Sequence, residues 1–249
     1  METQNTLTPP PATADMSFRQ LVNERRSVRS FLPERIPSDV MQDCFDMAIL
    51  APSVSNLQPW QFYWVKSDKN REEMRDLCMR QEAANTAAEF VVCVGRTGLW
   101  RKYAKLIIQQ MEEAQLDLPK PFDIYYHKIV PISYTLGPLS ILGYLREFLF
   151  WAIRVFRPMS HTPKNRSEMR AWAIKSTSLA CQNFMLALRA HGYDTCALDG
   201  FDPTRIKRML KLPRDAVIVM VITAGKRAPD DVRFGPRLRL GRENFVFEA

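Results

Sequence analysis

The chain has 249 residues, 46% hydrophobic and 25% charged, so it is long enough to bury a sizeable core and shows no compositional sign of disorder. Its 35 Lys and Arg against 27 Asp and Glu give a net charge of +8, which suits nucleic acid, anionic lipid or a bound anionic cofactor without choosing among them. The five cysteines, Cys44, Cys78, Cys93, Cys181 and Cys196, are widely spaced, form no CxxC pair and sit mostly in apolar surroundings. They are therefore expected to be reduced, structural thiols of a cytoplasmic protein.

Residues 1–14 are polar and rich in Pro and Thr, with no basic stretch followed by an apolar run, so they read as a loose arm rather than a secretory signal. One domain is expected over 15–249. Ser17 to Glu24 reads as a short helix capped by Asp15 or Ser17, and a second helix runs from Ser38 to about Leu50. Between them lies a basic loop, Arg25 to Pro37. The turn-rich segment Pro52 to Pro59 leads to an aromatic strand, Trp60 to Val65. Asn70 to Glu89 is helical in composition and precedes Phe90-Val91-Val92-Cys93-Val94, an apolar run of the kind buried on both faces of a sheet. Ser167 to Ala190 reads as a long helix closed by His191-Gly192. A further helix has Asp202 as cap, Pro203 at its first position and Pro213 beyond its end, and the apolar strand Ala216 to Ile222 follows. Helices interleaved with about four strands suit an α/β or α+β chain.

Ile129 to Phe156 is unusually apolar, yet Arg146, Glu147 and Arg154 interrupt it and Pro131, Gly137 and Pro138 break its start. A membrane-spanning helix is therefore not expected. On a helical wheel Arg146, Glu147, Arg154 and Arg157 share a narrow arc, leaving a broad apolar face of Leu142, Leu145, Phe148, Leu149, Ala152 and Phe156 that needs a cover.

The commonest catalytic signatures are missing. The three histidines, His127, His161 and His191, have no ligand-like spacing, so no metal site is expected. There is no GK[ST] phosphate loop, no GxGxxG after a strand and no GxSxG elbow. Such a chain suits chemistry carried by a cofactor. Two stretches could hold one. In Arg25-Arg26-Ser27-Val28-Arg29, alternate positions of an extended loop present Arg25, Ser27 and Arg29 together, as a phosphate requires, although a solvated basic helix end reads the same way. Ala51-Pro52-Ser53-Val54-Ser55-Asn56-Leu57-Gln58-Pro59 holds hydroxyl and amide groups on a stiff backbone, or forms a plain helix-to-strand turn.

Taken together, RRSVRSF followed by APSVSNLQPWQF resembles the N-terminal signature of the nitroreductase superfamily of FMN enzymes. Gly192 to Pro203 resembles that family's Gly-containing segment before a Pro-started helix, and Pro236-Arg237-Leu238-Arg239 its basic C-terminal pair. The resemblance implies a three-layer α+β fold with a mostly antiparallel central sheet, working as a homodimer with flavin at the interface. It implies that Arg25, Ser27, Arg237 and Arg239 hold the FMN phosphate, and that Arg26 and Arg29 reach the ribityl chain or the pyrimidine edge. Pro52, Ser53, Val54, Ser55 and Asn56 would come from the partner subunit. Leu198, Asp199 and Gly200 would line the flavin, with a backbone N–H of Asp199-Gly200 facing N5; an ordinary turn before the Asp202-capped helix is the alternative there. Many relatives carry Glu where this chain has Asp199. Arg80, or Gln81 beside it, stands where some relatives place an Asn toward the flavin.

The implied reaction is ping-pong transfer of hydride from NADH or NADPH to a small aromatic, electron-poor acceptor such as a nitroarene or quinone. Reductive dehalogenation, oxidative flavin chemistry and a non-enzymatic nucleic-acid- or membrane-binding role are the alternatives, with nucleic acid not expected. Residues 115–165 form the variable insertion, expected to act as a lid over the substrate or as packing against the dimer core; a peripheral membrane contact through 139–157 is a third reading and is not expected.

Overall fold

The run Phe90 to Val94 carries no polar alternation because both of its faces are covered. A computed structural model describes residues 16–115, 120–229 and 237–249. Helices α1 (Phe18–Glu24) and α2 (Ser38–Ile49) precede strand β1 (Trp60–Trp64), and α3 (Asp68–Leu77) and α4 (Glu82–Asn85) precede β2 (Glu89–Arg96). Then come α5 (Trp100–Glu113), α6 (Lys120–Ile124), α7 (Val130–Tyr134), α8 (Ile141–Arg154) and the long α9 (Arg166–Ala190). Strand β3 (Asp194–Leu198), helix α10 (Pro203–Met209) and strand β4 (Ala216–Gly225) complete the order. The strands form one antiparallel sheet, β1-β2-β4-β3.

Alternate residues of β2 feed two different cores. Phe90, Val92 and Val94 pack with Met74 and Leu77 of α3 and Ile206 of α10, while Val91 and Cys93 pack with Met41 and Cys44 of α2 and Cys181, Phe184 and Leu188 of α9. Each large apolar side chain so buried contributes about 1.5–3 kcal/mol. The result is the expected α+β arrangement, helices on both faces of an antiparallel sheet. A bulge in the β2–β4 ladder, between Cys93 and Val94, lets Ile218 and Val221 share a face although they are three residues apart.

Local chemistry explains most boundaries. Ser17 caps α1 in a reciprocal box with Gln20; the other candidate cap, Asp15, lies outside the described residues. Asp202 accepts the N–H groups of Thr204 and Arg205 at 2.9 and 3.0 Å, and Pro203 opens α10. Asn165 caps α9, which ends at Gly192 with φ +82°. The continuous helix expected over Asn70–Glu89 is instead two helices. Met79 and Arg80 adopt positive φ between them, and Glu89 belongs to β2.

Where β2 ends, Asp215 receives Arg96 through two bonds of 3.0 Å and the Gly98 N–H at 3.0 Å. Burial pushes the Asp215 carboxyl up, but the Arg96 and Gly98 bonds outweigh it and leave the group below its ordinary value. A carboxylate lowered in the folded state adds stability above its unfolded pKa of about 4 and loses it as pH falls through the folded value. Asp215→Asn should therefore cost about 1–3 kcal/mol at neutral pH. In denaturant titrations its deficit should shrink below about pH 4; a deficit independent of pH would refute the ionic role.

In the insertion, α6 passes through a π-helical turn, Tyr125–Ile129, into α7. Tyr126, Val130 and Tyr134 bury against Trp100, Ile107 and Trp172. Helix α8 is attached differently, since only Gly143 and Arg146 along it are buried. A Cβ on Gly143 would overlap the Lys164 carbonyl oxygen, so backbone passes where any side chain would sit. Gly143→Ala should displace α8 and lower stability by roughly 1–3 kcal/mol, read as a fall in Tm. Among the described residues no single helix is long and apolar enough to cross a membrane.

Candidate functional site

Ser27 bridges Thr195 in parallel, with the Val28 N–H bonded to the Thr195 carbonyl at 3.0 Å, so the basic loop runs beside β3. Thr86 holds its far end, donating to the Arg29 carbonyl and accepting the Phe31 N–H, both at 3.2 Å. The C-terminal segment meets the same loop. Arg237 donates to the carbonyls of Val22 at 3.1 Å and Arg25 at 2.5 Å.

Together these segments line a cleft of about 280 Å³ formed by Arg25, Arg26, Ser27, Arg29, Arg237, Leu238 and Arg239. The lining carries several guanidinium groups, one hydroxyl and no carboxylate. Burial, then the crowding of Arg239, Arg26 and Arg25, pulls the Arg237 guanidinium below its ordinary value. Cations held this close create a potential that a multiply charged anion relieves. Six residues singled out in the sequence, more than 200 positions apart at the extremes, thus share one concave surface.

Strand β3 leads from this cleft to Leu198, which is buried, and to Asp199 and Gly200, which are exposed. The Asp199 carbonyl accepts the Phe201 N–H at 3.2 Å. Because a trans peptide sets N–H opposite C=O, the Gly200 N–H is directed away from Phe201. Gln81 Nε2 donates to the Gly200 carbonyl at 2.5 Å and to the Cys78 carbonyl at 2.9 Å, and a Cβ on Gly200 would come within 2.8 Å of it. Arg80 does not join this group. Its guanidinium is held by Glu72 at 2.9 Å and Asp76 at 2.7 Å on the surface of α3.

The segment Pro52 to Asn56 lies at the opposite corner of the sheet. It precedes β1, whose Trp60 pairs with Gly95 and through it reaches Val217, whereas the basic loop reaches the sheet at Thr195, opposite Ala224. Strand geometry makes the separation roughly 20 Å along the strands and roughly 19 Å across them. Ser55 and Asn56 have φ of +59° and +49°, and Ser53 Oγ accepts the Gln58 N–H at 3.0 Å. Ser55 Oγ meets the hydroxyls of Tyr125 at 2.7 Å and Tyr134 at 3.3 Å, and Tyr126 donates to the Ser55 carbonyl at 3.2 Å. Three insertion tyrosines therefore hold this loop. Sequence reasoning missed them, along with Gln81 as the residue that grips Gly200 and Thr86 as the support of the basic loop. Only Gln81 had a local signal, its place beside Arg80.

A model of the Nitroreductase family matches residues 22–226. The chain belongs to the nitroreductase family. Among nitroreductases, the Bacillus subtilis protein named as the NAD(P)H nitroreductase MhqN is 27% identical over 219 residues, 87% of this chain and 91% of its own. The crystal structure of the nitroreductase-type ydfN protein of the same species superposes with a TM-score of 0.71 at 26% identity, covering 93% of this chain and 98% of that one. A nitroreductase-type structure from Exiguobacterium sibiricum, determined in complex with FMN, gives a TM-score of 0.71 at 21% identity over 96% and 99% of the two chains. This nitroreductase is thus an oxidoreductase on a three-layer nitroreductase fold.

Proposed function

We propose that this nitroreductase binds FMN with its phosphate in the arginine cleft and transfers reducing equivalents from NADH or NADPH to a small electron-poor acceptor, a nitroaromatic or a quinone. The observation that carries the reading is the cleft itself, a carboxylate-free set of guanidinium groups and Ser27 of about 280 Å³ at one end of β3. Family membership and the FMN held by a neighbour of the same fold agree with it.

When bound, FMN would supply the hydride chemistry between nicotinamide and acceptor. The chain supplies the rest. Arg25, Ser27, Arg237 and Arg239 would hold the phosphate, and Arg26 and Arg29, which line the same cleft, would reach the sugar chain and pyrimidine edge. Arg29 places positive charge where a reduced flavin carries negative charge. The Gly200 N–H, aimed outward by the turn at Asp199 and steadied by Gln81, would donate to the flavin, with Leu198 lining the same site. Asp199 contributes this backbone rather than a required side-chain group, and Gln81 takes the role considered for Arg80.

The site needs two copies of the chain. Pro52, Ser53, Val54, Ser55 and Asn56 stand too far from the cleft of their own chain to touch the same flavin, so they serve the partner's. Exposed Ile49 and Leu106 line a groove of about 610 Å³ beside β1 that suits a second copy. Purified protein should be a yellow dimer that releases FMN on denaturation. It should oxidise NAD(P)H only when given a nitroarene or quinone, with parallel double-reciprocal lines. A colourless protein that added FMN does not activate sinks the proposal.

A further inference from the structure

Helix α9 opens with charge of the wrong sign. Arg166 is its first residue and Arg170 stands one turn on, so two cations share a face at the positive end of the helix dipole. Glu168, in the same turn, is engaged by Lys164 at 3.4 Å and His161 at 3.5 Å. Arg166 and Arg170 line a cleft of about 570 Å³ together with Arg101 of α5 and Arg214 of the turn before β4. All four are exposed, and among the described residues no carboxylate pairs with any of them. Arg101 is held over the Trp100 ring at 5.0 Å, with its Nη2 3.4 Å from Thr135 Oγ1. Asp215 lines the same cleft, but its two oxygens are taken by Arg96 and the Gly98 N–H, so it leaves the four cations uncompensated. Stability alone disfavours such crowding of one sign, and a bound polyanion relieves it.

This cleft is separate from the one that Arg25 and Arg239 line. It lies at the end of the sheet where Arg96 pairs with Ala216, whereas the basic loop joins at Thr195, opposite Ala224. The two positions on β4 are roughly 25 Å apart. Its 570 Å³ exceeds the 280 Å³ of the other and falls in the range of small-molecule sites, and Tyr134, Leu136 and Met169 add apolar surface to its lining. We infer that the cleft binds a phosphorylated small molecule, its phosphate groups on Arg101, Arg166, Arg170 and Arg214 and its organic part against Tyr134, Leu136 and Met169. Linked phosphates concentrate several charges within a few ångströms, and guanidinium forks meet their oxygens in pairs. The inference does not rest on the flavin assignment.

The test is calorimetric titration of the full-length protein, saturated with FMN, with sodium pyrophosphate in about 50 mM salt. Saturable binding with a Kd below about 1 mM is expected. Citrate, of similar charge but with its carboxylates spread over a carbon chain, should bind at least about tenfold more weakly. Arg170→Glu with Arg214→Glu alters only exposed groups and should weaken pyrophosphate binding at least about tenfold, with flavin content unchanged. Lys69→Glu with Arg208→Glu makes the same change in net charge at exposed positions outside the cleft, and should leave the affinity within about twofold. Protein carrying Arg25→Ala with Arg239→Ala should bind pyrophosphate as the parent does. Absence of saturable binding up to about 10 mM, citrate binding as tightly as pyrophosphate, or an equal loss in the two charge-reversed variants overturns the inference. Loss of binding in the Arg25→Ala, Arg239→Ala protein overturns it also, by moving pyrophosphate to the other cleft.

Discussion

Protein carrying Arg25→Ala together with Arg239→Ala is expected to leave the column colourless. Both side chains line the cleft from opposite ends of the chain, and each charge-assisted bond to a phosphate contributes about 1.5–3 kcal/mol. Losing two should weaken FMN binding by at least about a hundredfold. Far-UV circular dichroism should not change, because both residues are at most half-buried and neither supports a core. Arg237 is a poorer choice for this test. It ties the C-terminal segment to the carbonyls of Val22 and Arg25, so its loss confounds binding with folding. Isothermal titration of the deflavinated variant with FMN provides the measurement. Affinity within threefold of the parent would remove the phosphate from this cleft.

The largest expected loss of stability comes from Glu89. Its side chain is 0% exposed at the start of β2, yet it accepts Arg35 Nε at 2.5 Å and Nη2 at 2.9 Å, Trp64 Nε1 at 2.7 Å and the Ile36 N–H at 3.3 Å. Removing such a carboxylate strands several donors at once. Glu89→Ala should cost about 3–5 kcal/mol, or roughly 6–20 °C in Tm for a chain of this size. Glu89→Gln keeps the shape and one acceptor oxygen, so its loss should be smaller. A calorimetric Tm for Glu89→Ala within a degree of the parent would show that Arg35 and Trp64 find other partners.

Much of the fold could be read in advance, and the reasons are local. Ser17, Asp202-Pro203 and Gly192 are end signals whose chemistry acts within a few residues, and the structure uses each of them. The unbroken apolar runs of β2 and β4 announced strands covered on both faces. The break in the helix after Leu77 was not legible, because Met79 and Arg80 are unusual residues for positive φ; Asn85, bonding the Arg80 carbonyl at 2.8 Å, helps hold it. Glu89 was absorbed into a helix by composition, since its value lies in partners 25 and 54 residues away.

The candidate site divides in the same way. The arginines at 25–29 carried a phosphate-like pattern and those at 237–239 a family resemblance, and their shared cleft follows from the bonds of Arg237 to the carbonyls of Val22 and Arg25. Gln81 at Gly200 and the tyrosines at Ser55 depend on contacts 70 to 119 residues apart, which no local pattern encodes. The apolar face of α8 was visible as a stripe. That Arg146, on the charged arc opposite it, is buried against backbone carbonyls was not.

All five cysteine side chains are buried, and burial pushes the Cys44 thiol up and holds Cys78 at about 12. For an enzyme proposed to turn over quinones this has a chemical meaning. Quinones and partly reduced nitro compounds arylate or oxidise thiolates, and attack requires an ionised, accessible sulfur. Placing every sulfhydryl inside the two cores, beside apolar neighbours on either face of the sheet, removes the nucleophiles by which such a catalyst would be consumed by its own reactants.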